Sequence, residues 1–318
     1  MKDKNIFVAG HKGMLGSSLI DKLKRSGCKN LITKSKKDLN LLNQKDVDDF
    51  FKKENIDYVI LCAAKVGGIL ANDTYKGDFI YENLQISTNV IKSSKTHKVS
   101  KLINLGSSCI YPKNCKIPIK EELLLTGELE KTNEPYAIAK IAALKMCEFF
   151  HEQYKSNFYS LMPCNLYGPR DNFSLNNSHV LPALIKKIHC AMLRGTNEVT
   201  VWGSGKPIRE FLYVEDAASA IIHCLKYVNA NDIYKQNISH INCGSGEEIS
   251  IKNLAYTIKS VLEYPGDIIF DKSKPDGTLI KTMDNSRLNS IGFNPKYKLR
   301  DGIKKTYQWF VNNQYLDC

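Results

Sequence analysis

Ile6-Phe7-Val8-Ala9-Gly10-His11-Lys12-Gly13-Met14-Leu15-Gly16-Ser17-Ser18-Leu19-Ile20 is the stretch that decides the fold of this 318-residue chain. Its apolar start reads as a buried strand, and three glycines at intervals of three precede a helical pattern. Glycines so placed let the backbone turn tightly, approach a pyrophosphate closely and pack a helix onto a sheet. The helix N-terminus then offers free N–H groups and a favourable dipole to an anion. The stretch predicts a dinucleotide cradle, although the glycine pattern alone would also suit a loop that binds nothing.

The next strand bears on the cofactor. An acidic residue about 20 positions past the glycines ordinarily holds a free ribose 2′-hydroxyl. Here Leu31-Ile32-Thr33-Lys34-Ser35-Lys36-Lys37 ends in cations, and Lys12 adds another inside the turn. That charge suits a 2′-phosphate, so NADP(H) is the cofactor expected; the alternative is a solvated lysine run.

Composition narrows the class. With 43% hydrophobic and 25% charged residues the chain reads as a globular protein able to bury a full core. Met1-Lys2-Asp3-Lys4 leads straight into the first strand, and no apolar run is long enough to span a membrane, so a cytoplasmic location without membrane attachment is expected. The ten cysteines are scattered singly, several in apolar patterns such as Cys62, Cys147 and Cys224, which favours reduced core residues over a disulfide framework. The seven histidines show no metal-ligand spacing, so no metal is expected. A formal charge of +12 fits a polyanionic small molecule; the lysines form no compact stripe interleaved with aromatics, which argues against nucleic acid.

Strand-like and helix-like patterns alternate through the first half, which predicts a Rossmann-type, doubly wound parallel sheet. The clearest buried strands are Ile6 to Ala9, Tyr58 to Ala63 and Lys101 to Leu105. From about Asn165 onward Pro169, Pro182, Pro207 and several glycines loosen the rhythm. The expectation is a cofactor domain over 1–165 plus about 212–242, and a smaller C-terminal α/β substrate domain over 166–211 and about 243–318.

A second constellation carries chemistry. Gly106-Ser107-Ser108-Cys109 follows the strand ending at Leu105, and Asn133-Glu134-Pro135-Tyr136-Ala137-Ile138-Ala139-Lys140 comes later. Pro135 suits the first turn of a helix, so Tyr136 and Lys140, four apart, project from one face. A nearby ammonium and a helix N-terminus both favour the phenolate of Tyr136. Tyr136 would donate a proton to a carbonyl oxygen as hydride arrives, while Ser107 holds that oxygen. In an extended segment Ser107 and Cys109 would point the same way.

These segments, together with Ala63-Ala64-Lys65-Val66-Gly67-Gly68-Ile69, Asn165-Leu166-Tyr167-Gly168-Pro169, Asn177-Ser178-His179-Val180, Val201-Trp202-Gly203-Ser204-Gly205 and Ser273-Lys274-Pro275-Asp276-Gly277, make the chain resemble the GDP-L-fucose synthases almost end to end. That family belongs to the extended short-chain dehydrogenase/reductase group. The resemblance implies conversion of GDP-4-keto-6-deoxy-D-mannose to GDP-L-fucose, by epimerisation at C3 and C5 and NADPH-dependent reduction at C4. A C4 ketone acidifies the hydrogens at C3 and C5, and the resemblance assigns the proton exchange there to Cys109 and His179, leaving open which is acid and which base. By residue type alone Cys109 would be a small buried hydrophobe and His179 an ordinary loop histidine.

The resemblance also implies cofactor contacts at Gly10, His11, Lys12, Gly13, Met14, Leu15 and Gly16, at Lys36, Asp38, Leu39 and Asn40, at Leu105, Gly106, Ser107 and Ser108, at Pro163, Cys164, Asn165 and Leu166, and at Tyr136, Lys140 and His179. It gives Lys187, Trp202, Arg209 and Asp276 to the sugar nucleotide, with Arg209 clamping the pyrophosphate and Trp202 as an apolar wall. It further implies a homodimer formed through helices of the cofactor domain. Lys12 and Lys36 stand where arginine is commoner, and lysine lacks the planar fork of arginine. Two rivals share these motifs. A nucleotide-sugar C4 epimerase or 4,6-dehydratase would retain NAD⁺, and a non-catalytic sensor would use the fold without chemistry.

Overall fold

The computed structural model describes residues 1–175, 178–274 and 276–313. Near-continuous apolar runs become strands buried on both faces, as expected of a parallel sheet covered by helices. Six such strands, β1 (Ile6–Ala9), β2 (Leu31–Ile32), β3 (Tyr58–Leu61), β4 (Lys101–Leu105), β5 (Phe158–Pro163) and, much later in the chain, β9 (His240–Cys243), form one sheet in the order β2-β1-β3-β4-β5-β9. Every neighbouring pair is parallel. The order reverses at β1, so a crevice opens at its carboxyl end, where ligands bind in sheets of this kind.

Between these strands run α1 (Met14–Arg25), α2 (Gln44–Lys53), α3 (Ile69–Thr74), α4 (Lys76–Thr96) and α5 (Glu134–Tyr154). Alternation along β1 sorts the two faces: Ile6 and Val8 join one core with Leu19 of α1, while Phe7 and Ala9 join another with Val47 and Phe51 of α2. Each fully buried apolar side chain of this size contributes about 1.5–3 kcal/mol, so a one-residue slip in β1 would expose both sets.

The rest of the chain builds a second lobe and returns to the first. It contains β6 (Asn165–Tyr167), α6 (Val180–Arg194), β7 (Glu198–Trp202), β8 (Ile208–Tyr213), α7 (Val214–Tyr227) and α8 (Ala230–Tyr234), then, after β9, β10 (Glu248–Ser250), α9 (Ile251–Leu262), β11 (Asp267–Asp271), β12 (Ile280–Lys281), α10 (Ser286–Ser290) and α11 (Leu299–Asn312). Strand β8 pairs with β6, β10 and β12, and β7 pairs with β11. Tyr167, Ile185, Leu254, Ile258 and Phe310 are buried in a core of their own. Helix α7 follows β8 directly yet packs Ala217, Ala218 and Ile221 into the core on the α1 face of the large sheet, which joins the two lobes.

Candidate active site

The glycine corner is built by backbone. Gly10 ends β1 with φ +86°, and a Cβ there would lie 2.7 Å from the Ala63 amide nitrogen. A Cβ on Gly16 would collide with the Gly10 carbonyl, so the corner closes only with glycine at both positions. Gly13 caps α1 and donates its N–H to the Gly10 carbonyl at 3.1 Å. No side chain caps this helix and no acid stands in its first turn, which leaves its N–H groups and dipole directed at the crevice. Met14 and Leu15 pack against the second lobe's core, so the corner also touches both lobes.

The lysine run past β2 divides. The Lys34 ammonium pairs with Glu54 at 3.3 Å and lies 5.6 Å from the Phe50 ring, because α2 passes beside it, and its charge also acts on Asp38. Lys36 and Lys37 are exposed. The acid of this region is Asp38, whose carboxylate accepts from the Ser35 N–H at 3.1 Å and the Ser35 hydroxyl at 2.5 Å. Those bonds, with Lys12 nearby, hold it below the usual carboxylate range. Partial burial and Lys12 lower the His11 pKa. Leu39 belongs to the core on the α2 face, and the Asn40 carboxamide accepts from the Leu42 N–H at 3.2 Å.

At the end of β4 the expected extended course does not form. Ser107 caps a single 3-10 turn over Ser108–Ile110, its hydroxyl accepting from the Cys109 N–H at 3.4 Å. A serine hydroxyl offers the backbone this local alternative to a strand, and Ser108 and Cys109 are buried in it. Met162 of β5 lies so close that any side chain on Gly106 would meet its sulfur.

Pro135 stands in the first turn of α5, and Lys140, one turn after Tyr136, is buried with its ammonium donating to the Leu105 carbonyl at 2.8 Å. That ammonium sits 5.6 Å from the centre of the Tyr136 ring. Burial lowers the Lys140 pKa to about 8, opposed by the Cys109 and Cys62 thiols. Burial, with Cys109 close by, also pushes the Tyr136 phenol well above its ordinary value. Burial thus favours the neutral phenol over the phenolate expected from the neighbouring ammonium. Phe79 of α4 packs edge-on against Tyr136 at 6.3 Å and fixes its plane.

Cys109 joins this group. Burial raises its pKa, and the charge that most strongly opposes this is Lys281 of β12, ahead of the Ser107 bond and Lys140. His179 stands apart at the N-cap of α6, and no hydrogen bond or ion pair among the described residues ties its ring to Cys109. Its side chain is exposed, and partial desolvation lowers its pKa.

A second grouping forms in the small lobe. Lys187 of α6 donates to the Thr200 carbonyl at 3.2 Å, and its ammonium lies 5.4 Å from the Trp202 ring centre. The Asp276 carboxylate accepts from the Ser204 N–H at 2.8 Å and the Ser204 hydroxyl at 2.6 Å, which anchors the turn after β7. Arg209 donates to the Ile208 carbonyl at 2.8 Å and loses basicity through burial, with Asp276 opposing. Pro163 ends β5, the Cys164 N–H donates to the Cys243 carbonyl at 3.0 Å, and the Asn165 carboxamide donates to the Glu210 carbonyl at 2.9 Å. Leu166 packs on the core beneath, so this crossing segment ties β5, β8 and β9 together.

Two residues escape sequence reasoning. Lys281 lies beside Arg209 in the β12–β8 register and acts electrostatically on Cys109, so it spans both groupings. Glu210 is buried next to Arg209 and accepts from the Gly246 and Met283 N–H groups at 2.7 and 3.1 Å, which holds β8 in place. No motif marks either, because their partners lie tens of residues away. Asn177 and Pro275, which belong to two of the resembling segments, fall outside the described residues.

A glycine corner at the strand-order reversal, with a buried lysine one helical turn from a tyrosine beside it, agrees with what the chain matches. Residues 6–244 match the NAD dependent epimerase/dehydratase family. The GDP-L-fucose synthase of Escherichia coli (strain K12) is 49% identical over 99% of this chain and 98% of its own length. The chain belongs to this family, among its GDP-L-fucose synthases. GDP-L-fucose synthase 1 of Arabidopsis thaliana is 51% identical over 98% of this chain and 95% of its own length. A solved GDP-L-fucose synthetase from Naegleria fowleri bound to NADP superposes with a TM-score of 0.89 at 33% identity, covering 98% of this chain and 94% of that one.

Proposed function

We propose that the chain converts GDP-4-keto-6-deoxy-D-mannose to GDP-L-fucose, epimerising C3 and C5 and then reducing C4 with NADPH. The observation that carries this reading is the cluster of Ser107, Cys109, Tyr136 and buried Lys140 at the end of β4, in a chain about half identical to GDP-L-fucose synthases along its whole length. The glycine corner and the free α1 N-terminus fit a dinucleotide pyrophosphate, and Lys12 with exposed Lys36 fits a 2′-phosphate. When bound, NADPH supplies the hydride.

The protein's own groups handle the protons and the charge. Ser107 donates a hydrogen bond to the C4 oxygen and polarises the ketone, which acidifies the neighbouring C–H bonds. Cys109 and His179 exchange the protons at C3 and C5, one taking a proton from the ring and the other returning one to the opposite face. At C4 the protonated Tyr136 gives its proton to the carbonyl oxygen, and the Lys140 ammonium stabilises the phenolate left behind. Arg209 and Lys187 neutralise the diphosphate, and Trp202 and Asp276 border the nucleoside.

In this reading residues 1–165 with about 212–242 hold the cofactor, and 166–211 with about 243–318 hold the sugar nucleotide. The protomers pair through α4 and α5, where Tyr81, Ile138 and Phe149 are exposed; sedimentation at a dimer mass checks this. Mixing the protein with GDP-4-keto-6-deoxy-D-mannose and NADPH tests the reaction. NADPH oxidation with a fucose product by NMR supports both steps. A rhamnose or talose product would remove Cys109 and His179 from their roles, and absence of oxidation would overturn the reading.

A further inference from the structure

Trp202 presents a large aromatic surface to solvent, 66% exposed, at the end of the two-stranded β7–β11 sheet. Two ammonium groups lie against its ring. One is Lys187, at 5.4 Å from the centre; the other is Lys274, at 5.7 Å, in the turn that follows β11. The Lys274 N–H donates to the Asp271 carbonyl at 3.2 Å, which fixes that turn opposite Trp202, the β11 partner of Asp271 being Trp202 itself.

The two carboxylates flanking Lys274 spend their hydrogen bonds on serines, and only Asp271 acts on the Lys274 ammonium, through space. Asp271 accepts from the Ser273 N–H at 3.0 Å and hydroxyl at 2.6 Å, and Asp276 accepts from Ser204. Among the described residues no hydrogen bond or ion pair takes up the Lys274 ammonium. Its three donors are left facing whatever covers the indole.

We infer that Lys274 reads the acceptor edge of a guanine stacked on Trp202. This rests on the sugar-nucleotide reading given above and adds how the base is chosen. A flat bicyclic indole gains most from a bicyclic base, which favours a purine over a pyrimidine. An ammonium has donors and no acceptor, and guanine offers it two acceptors, O6 and N7. Adenine sets an N6 amino donor where guanine has O6, so the same ammonium meets a donor there. Stacking on Trp202 therefore selects size, and Lys274 selects guanine among the purines. Lys187, already bonded to the Thr200 carbonyl, is less free to do so.

Calorimetric titration of the full chain with GDP, ADP and UDP separates the possibilities. For Lys274→Met, which removes the donors and keeps the length, the expected result is GDP binding weakened about tenfold, with ADP and UDP within about twofold of the original protein. Lys274→Arg, which keeps the donors, restores the preference for GDP. Equal weakening of all three nucleotides would make Lys274 a diphosphate contact and overturn the inference, as would no change for any of them. If the unmodified chain binds no guanine nucleotide, the sugar-nucleotide reading itself fails, and this inference with it.

Discussion

The glycine corner after β1 and the wall around Trp202 and Arg209 are built in opposite ways. The corner is backbone drawn from consecutive residues, Gly10 to Gly16, and its shape follows from what cannot be there: a Cβ on Gly10 or Gly16 has no room. The wall is side chain, assembled from α6, the ends of β7 and β8, β12 and the turn after β11. A backbone device tolerates almost no substitution, whereas a side-chain wall distributes its work over several cations and degrades by degrees. Between them lies the Tyr136 and Lys140 pair, local in sequence but tuned by burial.

The pair between the two regions carries the largest expected effect. Tyr136→Phe removes the proposed proton donor, so NADPH oxidation should fall by about 10²–10⁴-fold while the circular dichroism spectrum stays the same. Turnover at the original rate would remove Tyr136 from the reducing step. Gly16→Ala probes the corner. It should cost about 1–3 kcal/mol in a denaturant melt, through overpacking against the Gly10 carbonyl, and weaken NADPH in a fluorescence titration. If both measurements matched the original chain, the contrast between backbone and side-chain regions would be lost.

Arg209→Lys probes the wall. The stability change should stay within about 0.5 kcal/mol, since no described core contact depends on the fork. KM for the sugar nucleotide should rise about tenfold, as the proposed bidentate contact of Arg209 to the diphosphate becomes a point charge. A change in the pH profile should be of similar size. Lys140 titrates at about 8, so its ammonium is complete below that pH and lost above it. The reduction rate should therefore fall about tenfold between pH 7 and 9, the phenolate losing its stabilising cation. A rate flat through pH 9 would place the Lys140 charge outside the reaction. The smallest effect is expected for Lys281→Met. Without that cation the Cys109 thiol should titrate somewhat higher, seen as a shift to higher pH in its alkylation profile by mass spectrometry. An unshifted profile would separate the wall from the catalytic group.

Where neighbours in sequence are neighbours in space, the reading from sequence holds. The strand, turn and helix of Ile6 to Ile20 form as their pattern implies, and Pro135 opens the helix that sets Tyr136 and Lys140 one turn apart. Where the decisive partner is distant, it does not. Lys34 reads as a free cation until the end of α2 supplies Glu54 as its partner. Ser107 and Cys109 look extended until the serine hydroxyl caps the next turn. Lys281 and Glu210 carry no signal at all, being ordinary charged residues whose surroundings arrive from other strands.

The sequence by itself determined the parallel sheet, the glycine corner and the tyrosine–lysine face, because each depends on backbone sterics or on helical spacing within a few residues. Only the tertiary structure decided the ionisation of Tyr136, Lys140 and Cys109 and the gathering of cations near the nucleotide wall. The physical reason is that desolvation and Coulomb interaction depend on what surrounds a group in space, and here those surroundings come from β4, α5, β8 and β12.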